Sequence, residues 1–220
     1  MNGNSIPRRS FMALLLGGTG AALVGCESVL PGAQRDAPNL YELSPKSTFD
    51  SNLPRFTGQL IVEMPVAGAG LVTNRIPVKT SDTKFEYFAR SEWIDIAPKM
   101  VQTLLIESFE NTNKIVAVGR ESAGLRADYV LKTELREFQV ETYGTGGARV
   151  RVRLALKLVR MPERVIISST SFEASEKPAN TEVAAAIPAF DEALGKVLRR
   201  TVEWTLRNAT ADQRRRPRTF

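Results

Sequence analysis

The sequence of 220 residues has no histidine and a single cysteine, Cys26. Histidine is the commonest general base, the usual partner of serine and cysteine nucleophiles, and a frequent metal ligand, so these devices are excluded. One cysteine has no disulfide partner within the chain and cannot form a metal site of several thiolates. The sequence therefore contains no recognisable active site, and we predict no metal site.

Long apolar runs are also missing. The most apolar stretch, Phe11 to Leu23, is shorter than the roughly 20 residues that a spanning helix needs, and it contains three glycines. It follows Arg8-Arg9 and ends in Leu23-Val24-Gly25-Cys26, which is the order of charged region, apolar region and lipobox in a bacterial lipoprotein signal. We predict that residues 1–25 are removed and that Cys26 carries a diacylglycerol and an N-linked acyl chain, with no other cofactor.

The export route and the target membrane are less sharply defined by this segment. The run Arg8-Arg9-Ser10-Phe11-Met12 resembles a twin-arginine signal, and a glycine-rich, weakly apolar region suits that pathway, but two arginines also occur in ordinary secretory signals. Glu27 stands where an aspartate usually retains a lipoprotein in the inner membrane. The sequence therefore favours a lipid anchor in the outer membrane, with the protein facing the periplasm.

The net charge of +6 lies mostly at the two ends of the chain. Arg8 and Arg9 leave with the signal, and residues 209–220 carry four arginines against one aspartate. The body between these ends is close to neutral, so nucleic acid is not an expected partner. We interpret residues 209–220 as a disordered basic tail, which could also touch anionic lipid headgroups.

Between signal and tail, the sequence indicates a short lipidated tether over residues 26–38 and one domain over residues 39–208. Residues Val66 to Gly70 are expected to form a loop. Alternating patterns predict strands at Tyr41–Leu43, Gly58–Met64, Arg75–Val78, Lys84–Trp93, Ile115–Val118, Asp128–Tyr143, Val150–Leu158 and Val165–Ser175. The last three should form an antiparallel meander with one solvent-exposed face.

Two amphipathic helices complete the expected fold. The first should begin near Asp95, with a buried face made of Ala97, Met100, Val101, Leu104, Leu105 and Ser108. The second should have Pro188 at its start or at a kink, with an apolar stripe made of Phe190, Ala193, Leu194, Val197, Thr201 and Trp204. The fold class predicted is α+β, a mostly antiparallel sheet with two helices packed on one face.

The residues that could have a catalytic or phosphate-binding role also have simpler structural explanations. The carboxylate pairs Glu86 with Glu92, and Glu134 with Glu137, could serve glycoside hydrolysis, but such spacings are common in a chain with 25% charged residues. The glycines between residues 68 and 70 and between residues 144 and 147 lack the phosphate-loop fingerprint and are interpreted as turns.

A stripe of cations lies on one face of the strongest predicted strand, at Arg149, Arg151, Arg153 and Lys157. It could hold a phosphate headgroup or an acidic partner. Pairing with the glutamates of the neighbouring strand, at positions 134 and 137, is the explanation that we favour.

A second strand carries aromatic side chains on both faces, at Phe85, Tyr87 and Phe88. Core packing accounts for one face of this strand. A contact with a partner protein would account for the other.

The order of several short motifs along nearly the whole mature chain resembles the PqiC-like auxiliary lipoproteins of ABC-type lipid transport systems. The motifs are Leu23-Val24-Gly25-Cys26, Tyr41-Glu42-Leu43, Arg75-Ile76, Phe85-Glu86-Tyr87-Phe88 leading to Trp93, Ala127-Asp128-Tyr129-Val130-Leu131, Phe172-Glu173-Ala174, and Ala189-Phe190-Asp191-Glu192-Ala193-Leu194 with Trp204. Pro188 and the arginine-rich C-terminal segment depart from the family pattern.

The resemblance implies a non-enzymatic protein that works beside a permease, an ATPase and an MCE-type periplasmic protein to move phospholipids or other lipids between the two membranes. It implies docking of the MCE protein at the outer membrane, and self-association, with a ring as one form. No catalytic residues carry over. The predicted partner-binding residues are Tyr41, Leu43, Arg75, Phe88 and Trp93.

The alternative function is that of a lipid carrier, in which the two helices close an apolar pocket over the sheet. The residues that would line such a pocket are Leu104, Leu105, Leu154, Leu156, Leu158 and Leu194. A filled core explains the same residues more economically.

Overall fold

The computed structural model describes residues 37–124, 126–143 and 147–215. These residues form an α+β fold with a short 3₁₀ helix at Glu121–Ala123. The strands and α-helices are β1 (Asn39–Tyr41), β2 (Phe56–Val62), β3 (Val66–Ala67), β4 (Arg75–Lys79), β5 (Phe85–Trp93), α1 (Ala97–Asn111), β6 (Ile115–Gly119), β7 (Tyr129–Glu141), β8 (Arg149–Arg160), β9 (Val165–Glu176) and α2 (Val183–Arg215).

Strand β7 pairs with more strands of the sheet than any other described strand does. Its partner β8 pairs with it from Tyr129 to Glu141, along one whole edge. The short strands β2, β3 and β4 follow one another along the other edge, and all three run parallel to β7. Strand β6 extends the sheet beyond β2, and β5 and β1 extend it beyond β4.

The prediction of a mostly antiparallel sheet is wrong, because the sheet is mixed. Among the described residues, five of the eight strand pairings are parallel: β1 with β5, β2 with β6, and β7 with each of β2, β3 and β4. Alternation of side chains reveals a strand but not its direction, which depends on the connections. Here α1 lies in the connection between β5 and β6, and this crossover lets β6 run parallel to β2.

The meander of β7, β8 and β9 is antiparallel, as predicted. Its alternation defines two faces. The covered face, against the helices, carries Leu131, Leu135, Leu154, Leu156 and Leu158, all buried. The open face carries the intervening side chains, such as Lys132, Glu134, Ala155 and Lys157. The predicted loop at Val66 contains a two-residue strand, β3, which was too short to give a pattern.

Helix α1 has the predicted buried face, because all six residues assigned to that face are buried. Its N-cap is Ile96, with Pro98 in the first turn, so the start lies one residue after the predicted Asp95. The Asp95 carboxylate instead accepts a hydrogen bond from the Ile96 backbone N–H at 2.8 Å and pairs with Lys99 at 2.6 Å.

Helix α2 includes Pro188 in its interior, which excludes the alternative that this proline starts the helix, and it extends beyond the predicted end of the domain. It begins at Val183, five residues before Pro188, which lies inside the helix. It continues to Arg215, so the prediction of a disordered tail from residue 209 is wrong for residues 209–215. The Asp212 carboxylate attaches this end of α2 to the sheet. It accepts hydrogen bonds from the Tyr129 hydroxyl at 2.7 Å and the Arg160 guanidinium at 3.0 Å.

One core fills the space between the covered face and both helices. At its centre three aromatic rings meet, with centroid distances of 5.5 Å between Trp93 and Phe138, 5.1 Å between Trp93 and Phe190, and 5.0 Å between Phe138 and Phe190. Leu104, Leu154 and Leu194, which were candidates for a lipid pocket, belong to this core and are at most 4% exposed. The helices therefore cover a packed core.

Candidate functional site

An apolar row crosses the open face from strand to strand. Ile61 on β2 is the register partner of Val130 on β7, which is the partner of Val159 on β8, and Val159 is the partner of Ile166 on β9. The first three side chains form a small cluster separate from the core, with Ala127 and Met161 packed against it. Ile166 is 52% exposed, so the row opens to solvent at the β9 edge.

Two lysines lie next to the apolar row, on the same face. Lys132 on β7 and Lys157 on β8 are direct register partners, which places like charges opposite each other. The ammonium group of Lys132 pairs with the Glu63 carboxylate at 2.8 Å. The ammonium group of Lys157 has no ion pair or hydrogen bond within the described part of the chain, although its charge helps to lower the pKa of Glu134, behind the hydrogen bond from Arg136.

Two grooves meet at the lysine pair, and both have Glu63, Lys132 and Lys157 in their lining. The larger, of about 740 Å³, runs over the apolar row and is also lined by Arg126 and Arg164. The smaller, of about 570 Å³, runs along β3, whose Val66 is 70% exposed, and over the serines of β9. We call the two together the open-face groove.

Within the cation stripe of β8, Arg151 is paired with carboxylates of the strands on both sides. The Arg151 guanidinium lies 3.2 Å from Glu137, 3.6 Å from Glu141 and 2.6 Å from Glu173. Burial disfavours its charge, but the hydrogen bond to Glu173 and the charges of the other two carboxylates outweigh that effect and raise the pKa of Arg151. The favoured explanation, cross-strand pairing, is confirmed for Glu137.

The other members of the stripe behave differently from one another. Arg153 donates a hydrogen bond to the Ser171 hydroxyl at 3.3 Å. Glu134 pairs with Arg136 of its own strand, at 2.9 Å, instead of with the stripe. Arg149 and Lys157 are therefore the two cations of the stripe that have no ion pair or side-chain hydrogen bond among the described residues.

The five residues predicted to bind a partner do not share one surface. Leu43 is 4% exposed and Trp93 is fully buried, so core packing accounts for both. Tyr41 and Phe88 are half-buried and pack against the core, while Arg75 is exposed. A partner contact at Tyr41, Arg75 and Phe88 stays a prediction.

The aromatic strand β5 covers a neighbouring loop with one of its faces. The rings of Phe85 and Tyr87 meet edge to face, with centroids 5.7 Å apart. The Arg75 guanidinium lies 4.1 Å from the centre of the Tyr87 ring, and the Tyr87 hydroxyl donates to the Gly70 carbonyl at 3.1 Å. A Cβ at residue 70 would come within 3.2 Å of the Phe85 ring, so this loop packs closely on the aromatics.

The described residues contain no group of three or more acidic, histidine or cysteine side chains placed to hold a metal ion. The carboxylates considered for glycoside chemistry are engaged: Glu86 with Lys84 at 2.6 Å, Glu92 with Asn74 at 2.6 Å, and Glu137 with Arg151. In the same part of the chain no helix is long and apolar enough to cross a bilayer.

Sequence reasoning missed the open-face groove. The alternation that identified β7 and β8 placed Lys132 and Lys157 on the solvent-exposed face, but register was needed to bring them opposite each other. The residues assigned to export and lipidation, Arg8, Arg9, Leu23, Val24, Gly25 and Cys26, lie outside the described residues, and so does most of the tether.

Comparison with known proteins identifies a matching family and a similar relative. The family model for the ABC-type transport auxiliary lipoprotein component matches residues 41–202. The chain is 32% identical over 187 residues to the uncharacterized protein bll6063 of Bradyrhizobium diazoefficiens, and the match covers 84% of this chain and 49% of that protein. The chain therefore spans about half the length of this curated relative.

Two solved structures resemble the fold over most of its length. Protein XCC0632 from Xanthomonas campestris, a DUF330 protein, superposes with a TM-score of 0.76 at 26% identity, covering 80% of this chain and 99% of that one. The crystal structure of an uncharacterized protein superposes with a TM-score of 0.55 at 16% identity, covering 81% and 99%, and shows a shared fold alone.

Proposed function

The chain belongs to the family of ABC-type transport auxiliary lipoprotein components, and from that premise we propose that it is the docking subunit of an MCE-type system that moves phospholipids between the inner and outer membranes. Membership confirms the resemblance found in the ordered motifs. As a member, the chain is a lipid-anchored protein of the cell envelope that accompanies a transport system. The family is not a known enzyme family.

The observation that carries the proposal is the extent of the family match, which spans residues 41–202 and so includes all of α1, α2 as far as Val202, and most of the sheet. In the proposal, the lipid on Cys26 holds the domain at the outer membrane and its surface receives a periplasmic MCE protein. The protein acts as a homo-oligomer, with a ring as one form. Half-buried Tyr41 and Phe88 and exposed Arg75 are the proposed contacts of the MCE protein.

Affinity purification from envelope extract tests this function. A C-terminally tagged chain, made from its own promoter, should recover an MCE-domain protein together with its permease and ATPase. An Arg75→Gln variant should recover less of the MCE protein, whereas Lys84→Gln, which changes an exposed lysine just before the neighbouring strand β5, should not. Recovery of unrelated partners only would remove the proposal.

The anchor has its own test, because Cys26 is the proposed attachment point. Each buried methylene contributes about 0.8 kcal/mol, so two or more acyl chains hold a protein at a membrane far longer than one chain does. Wild-type cells should incorporate labelled fatty acid into the protein, and Cys26→Ser cells should not. Equal labelling of the two would show that the anchor is elsewhere.

The lipid-carrier alternative was based on an apolar pocket between the helices and the sheet. The leucines assigned to it are packed into the core at 0–4% exposure, and both faces of that space are filled by side chains. We therefore prefer the docking role.

A further inference from the structure

We propose that the open-face groove binds one molecule of an anionic phospholipid, with its phosphate at Lys132 and Lys157 and its acyl chains over the apolar row of Ile61, Val130, Val159 and Ile166. The choice of a phospholipid among anionic amphiphiles rests on the proposed role in lipid transport. The combination of an anion site and an apolar track rests on the geometry of the described residues alone.

The lysine pair is the first argument. Like charges directly opposite each other in a sheet destabilise it, yet Lys132 and Lys157 occupy such a pair. The Glu63 carboxylate offsets one of the two charges, and the Lys157 ammonium contacts no carboxylate within the described ranges. Cross-strand partners have Cα atoms roughly 5 Å apart, so both ammonium groups can reach one phosphate. A bound phosphate would turn the repulsion into attraction.

The apolar row is the second argument. Four apolar side chains on the open face of four adjacent strands are unusual beside a face that is otherwise polar. Ile61, Val130 and Val159 are 4–7% exposed and form the floor of the groove, and Ile166 is 52% exposed. Since strands lie about 4.8 Å apart, the row is roughly 14 Å long, which suits an extended acyl chain better than a compact ligand. The lysine pair flanks Val130 and Val159 at the middle of the row, so a headgroup bound at the lysines lies directly against the apolar surface.

The charges around the groove are the third argument. The lining of the 740 Å³ part includes four cations, Lys132, Lys157, Arg126 and Arg164, against two carboxylates, Glu63 and Glu121. Neither arginine has an ion pair among the residues that the structure describes. A second groove of about 520 Å³, near the start of α1, is instead lined by Glu42, Asp95 and Glu107 and would repel a phosphate. The charge of the open-face groove therefore suits a phospholipid headgroup better than the charge of the groove near α1 does.

Native mass spectrometry of the full lipoprotein, released from an uncharged detergent, tests the proposal. The probe is dipalmitoyl phosphatidylglycerol, added in increasing amounts. The wild type should bind one molecule, and Lys132→Gln/Lys157→Gln should bind at least about tenfold more weakly, because it loses both charge-assisted contacts. The matched control, Lys84→Gln/Lys99→Gln, removes two exposed lysines outside the groove and should bind like the wild type.

Two further probes separate the parts of the site. Dipalmitoylglycerol, which has the chains without the phosphate, should bind much more weakly than the phospholipid, and excess inorganic phosphate should not displace the phospholipid. The Ile166→Asn variant changes an exposed side chain, so it should fold normally and bind the phospholipid several-fold more weakly. Thermal unfolding followed by circular dichroism checks that each variant is folded.

Three results would overturn the proposal: equal binding by the wild type and the lysine variant, equal binding of dipalmitoylglycerol, or displacement of the lipid by inorganic phosphate. The last would indicate a site for free phosphate. The assay contains no transport partner, so its failure would leave the docking function standing, and failed recovery of an MCE protein would leave lipid binding standing.

Discussion

The two faces of strand β8 differ in every respect that matters for stability. On the covered face Leu154, Leu156 and Leu158 are at most 1% exposed and belong to the single core that holds the helices to the sheet. On the open face the intervening residues include Ala155 and Lys157, which line a groove. One strand thus contributes packing energy with one face and part of the proposed lipid site with the other.

Polar residues also differ between the covered face and the open face. On the covered side Gln102 of α1 is buried, and its side-chain amide donates to the Val62 carbonyl at 2.9 Å. On the open side two lysines oppose each other, which gains nothing for the folded state by itself. Residues that oppose folding are expected where a protein binds something, and this supports the proposed lipid site on the open face.

The largest effect should come from truncating a covered-face leucine. Leu154→Ala should lower the free energy of unfolding by about 3–5 kcal/mol, because the side chain is fully buried and leaves a cavity. Ser169→Ala, on the open face of β9, should change it by less than about 0.5 kcal/mol. Urea unfolding measures both, and similar losses would show that the two faces do not differ as described.

A glycine on the covered side should be the next most sensitive position. A Cβ at Gly58 would lie 2.6 Å from the Phe56 ring, 2.9 Å from the Gln213 side chain and 3.0 Å from the Asp128 carboxylate. Gly58→Ala should therefore cost about 1–3 kcal/mol through overpacking. Gly68→Ala is the control, since a Cβ there meets nothing within 4 Å. A tolerated Gly58→Ala would contradict close packing of the α2 end.

The C-terminal end of α2 provides a smaller effect. Asp212→Asn should lower the free energy of unfolding by about 1.5 kcal/mol, because it weakens charge-assisted hydrogen bonds from Tyr129 and Arg160. A double-mutant cycle with Tyr129→Phe should show coupling of the two sites. If the losses of unfolding free energy in the two single variants add up to the loss in the double variant, residues 209–215 do not dock through this contact.

The smallest effect should have the opposite sign. Lys157→Gln should raise the free energy of unfolding of the lipid-free protein by a few tenths of a kcal/mol, because it removes a like-charge cross-strand pair. Lys132→Gln removes the same repulsion but also the ion pair with Glu63, and should gain less. A clear loss of stability in Lys157→Gln would mean that this lysine serves the fold.

Much of the fold could be predicted from the sequence where one pattern sufficed. The alternation of β8 and the buried face of α1 were identified, because each reflects a local periodicity. Parallel pairing of β2, β3 and β4 with β7 was not, since it depends on where distant segments return. The end of α2 was missed because the contact of Asp212 with Arg160 joins residues 52 positions apart.

The candidate site was predicted less well than the fold. Leu43 and Trp93 were assigned to a partner surface, yet both are buried, because a motif shows which residues occur together and not which way they face. The lysine pair and the apolar row each depend on strand register, which no local pattern specifies.

The most direct test of the division between the two faces is to measure stability and lipid occupancy on the same two variants. Urea unfolding and native mass spectrometry with dipalmitoyl phosphatidylglycerol would be applied to Leu154→Ala and to Lys132→Gln/Lys157→Gln. We predict that the first loses several kcal/mol of stability while its folded fraction still binds the lipid, and that the second keeps its stability and loses the lipid. Loss of both properties in the lysine variant, or retention of both, would contradict the account.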